Sequence, residues 1–333
     1  MRNCFLMLLG VWAALLPVAV AAPAPGMPPV VRLSTTADAP PSWAFPVTPA
    51  NFKPEPDDGK LRHVPGSNLG YTLKQVRDLF SAPDWHPTEH LPMPDVVARG
   101  RRPDVYACGV CHRADGSGGP ENSSLAGLPA AYIEQQLAAF KSGARKSSVM
   151  ERKPPQFMIT AAKAATAAEV KAAAAYFSGL KLRSNIRVVE VSSVPKTYVT
   201  GDHLALDKRG GQEPLGQRII EVPEDLQQFW SRDTHSRFVA YAPLGSIRKG
   251  KALVTTGAGK TLPCAGCHGP NLQGLGPFPG IAGRSPSYFV RQLYDFKHGA
   301  RKGASSAVMM PTVEKLNIDD MIALAAYAAS LPP

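Results

Sequence analysis

Residues 108–112 read CGVCH and residues 264–268 read CAGCH. Of the five cysteines in the 333-residue chain, Cys4 sits in an apolar N-terminal run and the other four all lie inside these two phrases. The run, MRNCFLMLLGVWAALLPVAVAA, carries one Arg, then uncharged apolar residues, then small residues ending Ala19-Val20-Ala21. That is the pattern of a secretory signal peptide over 1–22, too short for a convincing bilayer span. The mature chain is therefore expected outside the cytoplasm. An exported chain would ordinarily commit four cysteines to disulfides, yet here each pair is fixed at C-x-x-C with His next.

Two thiols three residues apart can form thioethers to two vinyl groups on one edge of a porphyrin while the next residue sets an imidazole beneath the iron. C-x-x-C-H thus reads as covalent attachment of c-type haem. A redox dithiol has no use for the trailing His, and a zinc site would need further close ligands that neither neighbourhood supplies. Two motifs predict two covalent haem c groups.

The repeat extends beyond the motif. Subtracting 156 from the second half aligns Cys264 with Cys108, without a gap, as far as Lys302 with Lys146. Within that block LAGLPAAYIEQQLAAFKSGARK faces IAGRSPSYFVRQLYDFKHGARK. Ile133, Leu137 and Phe140 in one copy, and Phe289, Leu293 and Phe296 in the other, have the spacing of one helical face. Gly143 and Gly299 follow as stops. A later helix opens at Thr166 with Glu169 in a capping box, and its partner opens at Asn317. Each copy reads as short helices around a central group, with little strand pattern.

An iron with a proximal His needs a sixth ligand or an open face, and a ligand essential to the design should recur in both copies. Registering the last helices on Tyr176 and Tyr327 brings Met158 onto Met309, with five extra residues in the first copy. No histidine is shared in this way. Thioether ligation suits low-spin iron, while the plain alternative is a methionine filling a core gap. Met150 and Met310 lie close by and match nothing in the other copy.

C-x-x-C-H, then LAG or IAG, then Y…QL…FKxGARK, then Met, then a helix ending AAY resembles the tandem di-haem class I cytochromes c. The resemblance implies an all-α architecture of two cytochrome c domains at 95–183 and 244–333. It also implies single-electron transfer in a bacterial periplasm. On that pattern Cys108 and Cys111 hold the first haem with His112 and Met158 axial, and Cys264 and Cys267 hold the second with His268 and Met309 axial. In similar proteins a proline before the LAG segment lies near the carbonyl that receives the proximal imidazole proton. Pro279 fits that place, whereas the first copy has Ser123.

Two segments fall outside the likeness: a Pro-rich extension, 23–94, and an interdomain segment, 184–243, where RVVEV and QRIIEVPED hint at two short strands. Its character is expected to be partly β or irregular. His86 and His90 are spaced as a helical metal pair, but the prolines around them favour a packed loop. Trp43, Trp85 and Trp230 read as aromatic surface buried by an extended wrap. VTTGAGKT at 254–261 lacks the first Gly of a phosphate-binding loop.

The formal charge is +11, one less once Arg2 leaves with the signal, which suits transient docking to acidic redox partners. RGRR at 99–102 and the two GARK stretches read as solvated helix ends, with haem-carboxylate pairing as a second use. No feature supports nucleic-acid binding, and membrane association would come through a partner, a dehydrogenase or a terminal oxidase. The leading expectation is an electron carrier. The alternatives are a cytochrome subunit of a periplasmic dehydrogenase and a di-haem peroxidase-type enzyme with one open iron.

Overall fold

The computed structural model describes residues 39–333. The expected signal peptide and the start of the extension lie outside the described residues.

The first module begins with a four-residue turn, Asp95–Ala98, and contains α1 (Cys108–His112), α2 (Ala130–Ser142), α3 (Lys153–Ala164) and α4 (Ala167–Ser178). Helix α2 buries Ile133 and Phe140 and stops at Gly143, whose φ of 76° is the left-handed turn that glycine adopts without strain. The capping box read at Thr166 and Glu169 is formed at the start of α4. These helices close on a core of Val96, Val97, Ile133, Ala174, Tyr176 and Phe177, among others.

Seven strands follow: β1 (Ile186–Glu190), β2 (Ser193–Pro195), β3 (Thr197–Thr200), β4 (His203–Leu206), β5 (Gln212–Pro214), β6 (Ile220–Pro223) and β7 (Phe238–Ala242). The two strands hinted at by RVVEV and QRIIEVPED are β1 and β6, but they do not pair with each other. Strand β7 lies between them, parallel to β1 with Ile186 opposite Phe238, and antiparallel to β6 with Ile220 opposite Tyr241. Two small antiparallel ladders, β2 with β5 and β3 with β4, complete the segment.

The second module contains α5 (Ser246–Thr256), α6 (Ala265–His268), α7 (Pro286–Lys297) and α8 (Ile318–Ser330). Asn317 and Asp320 form the capping box that starts α8. Helix α5 crosses α8 at Gly250, where a Cβ would come within 2.0 Å of the Ala323 carbonyl, so only glycine permits the approach. Ala44 and Phe45 of the extension enter this module's core, as do Ile219 and Ala242 of the interdomain segment. Arg291 fixes the extension by donating to the Ala44 carbonyl at 2.8 Å.

The modules meet through their matching GARK stretches. Arg145 and Arg301 form an antiparallel bridge; Lys146 N–H donates to the Ala300 carbonyl and Lys302 N–H to the Ala144 carbonyl, both at 2.7 Å. Each guanidinium reaches a tyrosine of the other copy, Arg145 to Tyr288 and Arg301 to Tyr132, both at 2.7 Å. Gln136 and Gln292 each accept from both arginines. The expectation of solvated helix ends holds for Arg99, Arg101 and Arg102, which are exposed, and is corrected for the two GARK arginines: Arg145 and Arg301 are 7% and 6% exposed. A guanidinium can be buried here because neutral oxygens receive its donors and its plane lies on a ring, Arg145 on Phe140 and Arg301 on Phe296.

Candidate haem sites

Helix α1 is a single turn, and Cys108, Cys111 and His112 all line one cavity. Met158, on α3, lines the same cavity, as do Leu125, Ile133, Leu137, Phe140, Phe157 and Phe177. Its empty space, counted out through the mouth, is about 1400 Å³. His112 Nδ1 stands 2.8 Å from the Ser123 carbonyl. A carbonyl only accepts, so the proton is on Nδ1 and Nε2 keeps its lone pair for a metal. Burial holds the imidazole neutral by lowering its proton affinity. The same burial pushes the Cys108 thiol up to about 12 and raises Cys111. That is the opposite of an activated dithiol, whose thiol pKa is depressed.

The second module repeats the proximal arrangement. His268 Nδ1 lies 2.8 Å from the Pro279 carbonyl, 156 residues after the first pair at both ends. Pro279 and Ser123 therefore do the same work, because the acceptor is main chain and the side chain is immaterial. Cys264 and Met309 both pack, half-buried, against this module's core, and burial pushes the Cys264 thiol up to about 11. Met309 sits between a 3-10 turn, Ala304–Val308, and the turn Met310–Val313. Met158 lies within a regular helix, so the five extra residues of the first copy extend a helix there.

The surroundings of the two motifs differ. At Gly109 a Cβ would meet the Ala82 Cβ at 2.9 Å and the Val97 carbonyl at 3.0 Å, and Arg232 donates to the Val110 carbonyl at 2.6 Å. The residue after the motif, Arg113, is buried at a φ of 64°; it donates to the Asp233 carbonyl and stacks over Phe229. Extension and interdomain segment together thus cover the first motif. In the second, Cys267 is exposed, Gly266 has nothing within 4 Å of its Cβ direction, and Gly269 takes the place of Arg113.

Four basic residues also line the first cavity: Arg145 and Lys146, whose GARK stretch carries haem-carboxylate pairing as its second reading, and Arg152 and Arg291, which the sequence reading missed. Arg145 and Lys146 belong to the repeated GARK stretch, and that repetition was the available signal. Arg152 and Arg291 have no sequence signature.

His86 and His90 do not form a pair. His86 Nε2 bonds Asp233 at 3.0 Å and its ring stacks on His235 at 3.7 Å, while His90 bridges Asp84 and the Tyr176 hydroxyl. They tie the extension to the rest of the chain, as the packed-loop reading expected. Trp85 is buried, its indole N–H donating to the Ser231 carbonyl at 2.7 Å.

A covalently attached haem needs two thiols, an imidazole with a free Nε2, a second axial donor and apolar walls, and the first cavity has all of these. The cytochrome c family model matches residues 97–181 and again 247–332. The chain belongs to the cytochrome c family. Among relatives, the thiosulfate dehydrogenase electron acceptor of Thiomonas intermedia (strain K12) is 28% identical over 69% of this chain and 81% of its own. Cytochrome c4 of Azotobacter vinelandii is 28% identical over 37% of this chain and 66% of its own. A solved thiosulfate dehydrogenase, TsdBA from Marichromatium purpuratum, is 27% identical over 78% of this chain and 40% of that one, with a TM-score of 0.47. This tandem cytochrome c carries two covalently bound haem c groups, and its chemistry is single-electron transfer. Among the described residues, no helix of this cytochrome is long and apolar enough to cross a membrane.

Proposed function

We propose that Cys108 and Cys111 hold one haem with His112 and Met158 as axial ligands, and that Cys264 and Cys267 hold the other with His268 and Met309. The observation that carries this is the sharing of one apolar cavity by Cys108, Cys111, His112 and Met158. When bound, each haem supplies a one-electron ferric/ferrous couple. The chain's part is to fix each proximal imidazole through a main-chain carbonyl, to keep water from the iron with aromatic and aliphatic walls, and to offer positive charge to the haem carboxylates from Arg145, Arg152 and Arg291. We assign the two haem domains to 95–183 and 244–333, with 23–94 and 184–243 as the added segments.

The functional reading is a periplasmic electron carrier that serves a dehydrogenase, and the name of the Thiomonas intermedia relative makes a thiosulfate dehydrogenase the first candidate. The exposed second motif, with Leu262 beside it 63% exposed, is the port for exchange with partners, while the covered first motif passes electrons inward. Carbon monoxide added to the reduced holoprotein tests the ligation. The expected result is an unchanged visible spectrum, with binding at one haem in Met158→Ala and at the other in Met309→Ala. Rapid binding to one haem of the unaltered protein would overturn the symmetric ligation and restore the peroxidase-type reading. Mixing with a thiosulfate dehydrogenase and thiosulfate tests the partner: the haems should be reduced only when the enzyme is present.

A further inference from the structure

Four parts of the chain meet at a small polar pocket beside the first haem cavity. The extension contributes Trp43 and Pro46, the first module Pro120, the interdomain segment Asp202, His203 and Glu221, and the second module Ser287 and Arg291. The pocket has room for about one water molecule. Asp202 and His203 arrive on the tight turn between β3 and β4, which the Arg152 guanidinium pins by donating to the Asp202 carbonyl at 3.0 Å. Glu221 comes from β6.

Each of the three interdomain residues has one buried polar atom with no hydrogen-bond partner in the chain: Asp202 Oδ1, His203 Nε2 and Glu221 Oε1. Three such atoms around one pocket are unusual, since an unsatisfied buried polar group costs about 1–3 kcal/mol. They are not a metal site: among the described residues, the group with metal-ligand spacing is His86, Asp233 and His235, each already hydrogen-bonded. A water with two hydrogens to give and two lone pairs to share does match two carboxylate oxygens and an imidazole nitrogen.

The carboxylate of Glu221 is asymmetric. Oε2 accepts from the Ser285 hydroxyl at 2.6 Å and from the Ser287 N–H at 3.0 Å, leaving Oε1 as the open position. Arg291 and Arg152 connect this pocket to the haem cavity. Arg291 lines both spaces, and Arg152 lines the haem cavity while donating to the carbonyls of Pro46 and Asp202 on the pocket wall.

We propose that this pocket is a proton-binding site coupled to the oxidation state of the first module: when one electron arrives from the donor, Glu221 Oε1 takes up one proton from solvent through the pocket water, and releases it on oxidation. The electron comes from the redox partner and the proton from bulk water, so each full cycle returns both. This rests on the assignment of the first haem to the adjacent cavity.

The charged and titratable groups facing Glu221 are Arg291 from α7, His203 and Asp202 from the β3–β4 turn, and, behind these, Arg152 from the first module. Burial raises the Glu221 carboxyl above its usual range, against the serine bonds and Arg291. Burial lowers His203 to about 4, so it stays neutral, with Nε2–H donating to the water while the water's two hydrogens go to the carboxylates, and burial lowers Arg291 to about 9, so it stays a cation. Glu221 is therefore a carboxyl whose hold on a proton is strengthened by burial. An added electron makes the neighbourhood more negative and raises the carboxyl further, so the proton is held more tightly in the reduced state.

The test is a spectroelectrochemical titration of the holoprotein from about pH 5 to 9, with redox-difference infrared spectra. The reduction equilibrium of one haem is expected to weaken about threefold per pH unit at its steepest, against the tenfold, about 59 mV, of full one-proton coupling. Reduction should bring up the carbonyl stretch of a protonated carboxyl. Glu221→Gln should abolish both. Ser285→Ala, which removes a bond to the charged form, should keep both and move the pH window upward, giving a second reading if Glu221→Gln fails to fold. An equal pH slope in wild type and Glu221→Gln would put the coupling on the haem carboxylates and overturn the proposal, as would no slope at all. All proteins are first checked for an unaltered visible spectrum and no carbon monoxide binding, so failure of the ligation reading is seen separately.

Discussion

The two modules share a proximal design and differ in what has been built over it. Both hold an imidazole by its Nδ1 to a main-chain carbonyl at 2.8 Å. Around the first motif, the extension and interdomain segment press on Gly109, tether Val110 and hold Arg113 in a left-handed backbone that would suit glycine. Around the second motif that place is a glycine and the surface is open. In compensation the second module has a full N-terminal helix, α5, locked to α8 at Gly250, where the first has one turn. The lesson is that a duplicated unit diverges at its edges: the metal-facing geometry is constrained by chemistry, and the cover is free to acquire a task.

The largest test of this contrast is loss of attachment. Replacing Cys108 and Cys111 by serine should halve the covalent haem content measured by pyridine haemochrome absorbance, and should also loosen the extension, seen as faster proteolysis within 40–94. The matching change at Cys264 and Cys267 should halve the haem content and leave that cleavage slow, because, among the described residues, the Gly266 Cβ direction meets nothing within 4 Å and Cys267 is exposed. Equal proteolysis in both would break the distinction.

The interface predicts equality where the covers predict difference. Arg145→Ala and Arg301→Ala each remove one of the two donors to Gln136 and Gln292 and the donor to one tyrosine, Tyr288 or Tyr132, so each should cost about 2–3 kcal/mol in chemical denaturation, with the two values close to one another. Unequal losses would show that the two halves of the contact are not energetically equivalent.

A smaller effect separates the motifs themselves. Gly109→Ala drives a methyl against Ala82 and the Val97 carbonyl and should destabilise by about 1–3 kcal/mol, whereas Gly266→Ala enters open space and should stay within about 0.5 kcal/mol of wild type. Thermal melts of the two holoproteins decide it.

The smallest is a pH effect on the extension. Asp84, hydrogen-bonded to His90, raises that histidine's pKa, against partial burial. A raised folded pKa means that the stabilisation is complete below the unfolded value near 6.5 and is lost as pH rises through the folded value. The extension should therefore show greater protection from hydrogen exchange, relative to the intrinsic rate at each pH, at pH 6 than at pH 8, by less than about 1 kcal/mol, and His90→Gln should flatten the trend.

Sequence reading found what local chemistry specifies: the two C-x-x-C-H motifs, the capping box at Thr166, the helix start at Asn317 and the stop at Gly143. It missed what arises only when distant parts meet. RVVEV was recognisable as a strand, yet its partner β7 begins at Phe238, beyond five other strands, and pairing over that distance leaves no mark in a short window. GARK looked like a solvated helix end because its partners, Tyr288 and Gln292, belong to the other copy. The proline expected near the proximal carbonyl proved dispensable at Ser123 because the contact uses the backbone. Asp202, His203 and Glu221 carried no motif at all, since their common feature is a shared pocket.

The GARK contact also bears on how the molecule came to be one chain. Residue i of one half touches residue j of the other and j touches i, which is the isologous geometry of a symmetric homodimer. Joined by residues 184–243, the halves meet at the fixed effective concentration set by a tether, so dilution cannot separate them and subunit exchange cannot scramble them. Covalent joining removes the need for the halves to stay identical. One can then be roofed over while the other remains bare, an asymmetry that a freely exchanging dimer of identical subunits could not encode.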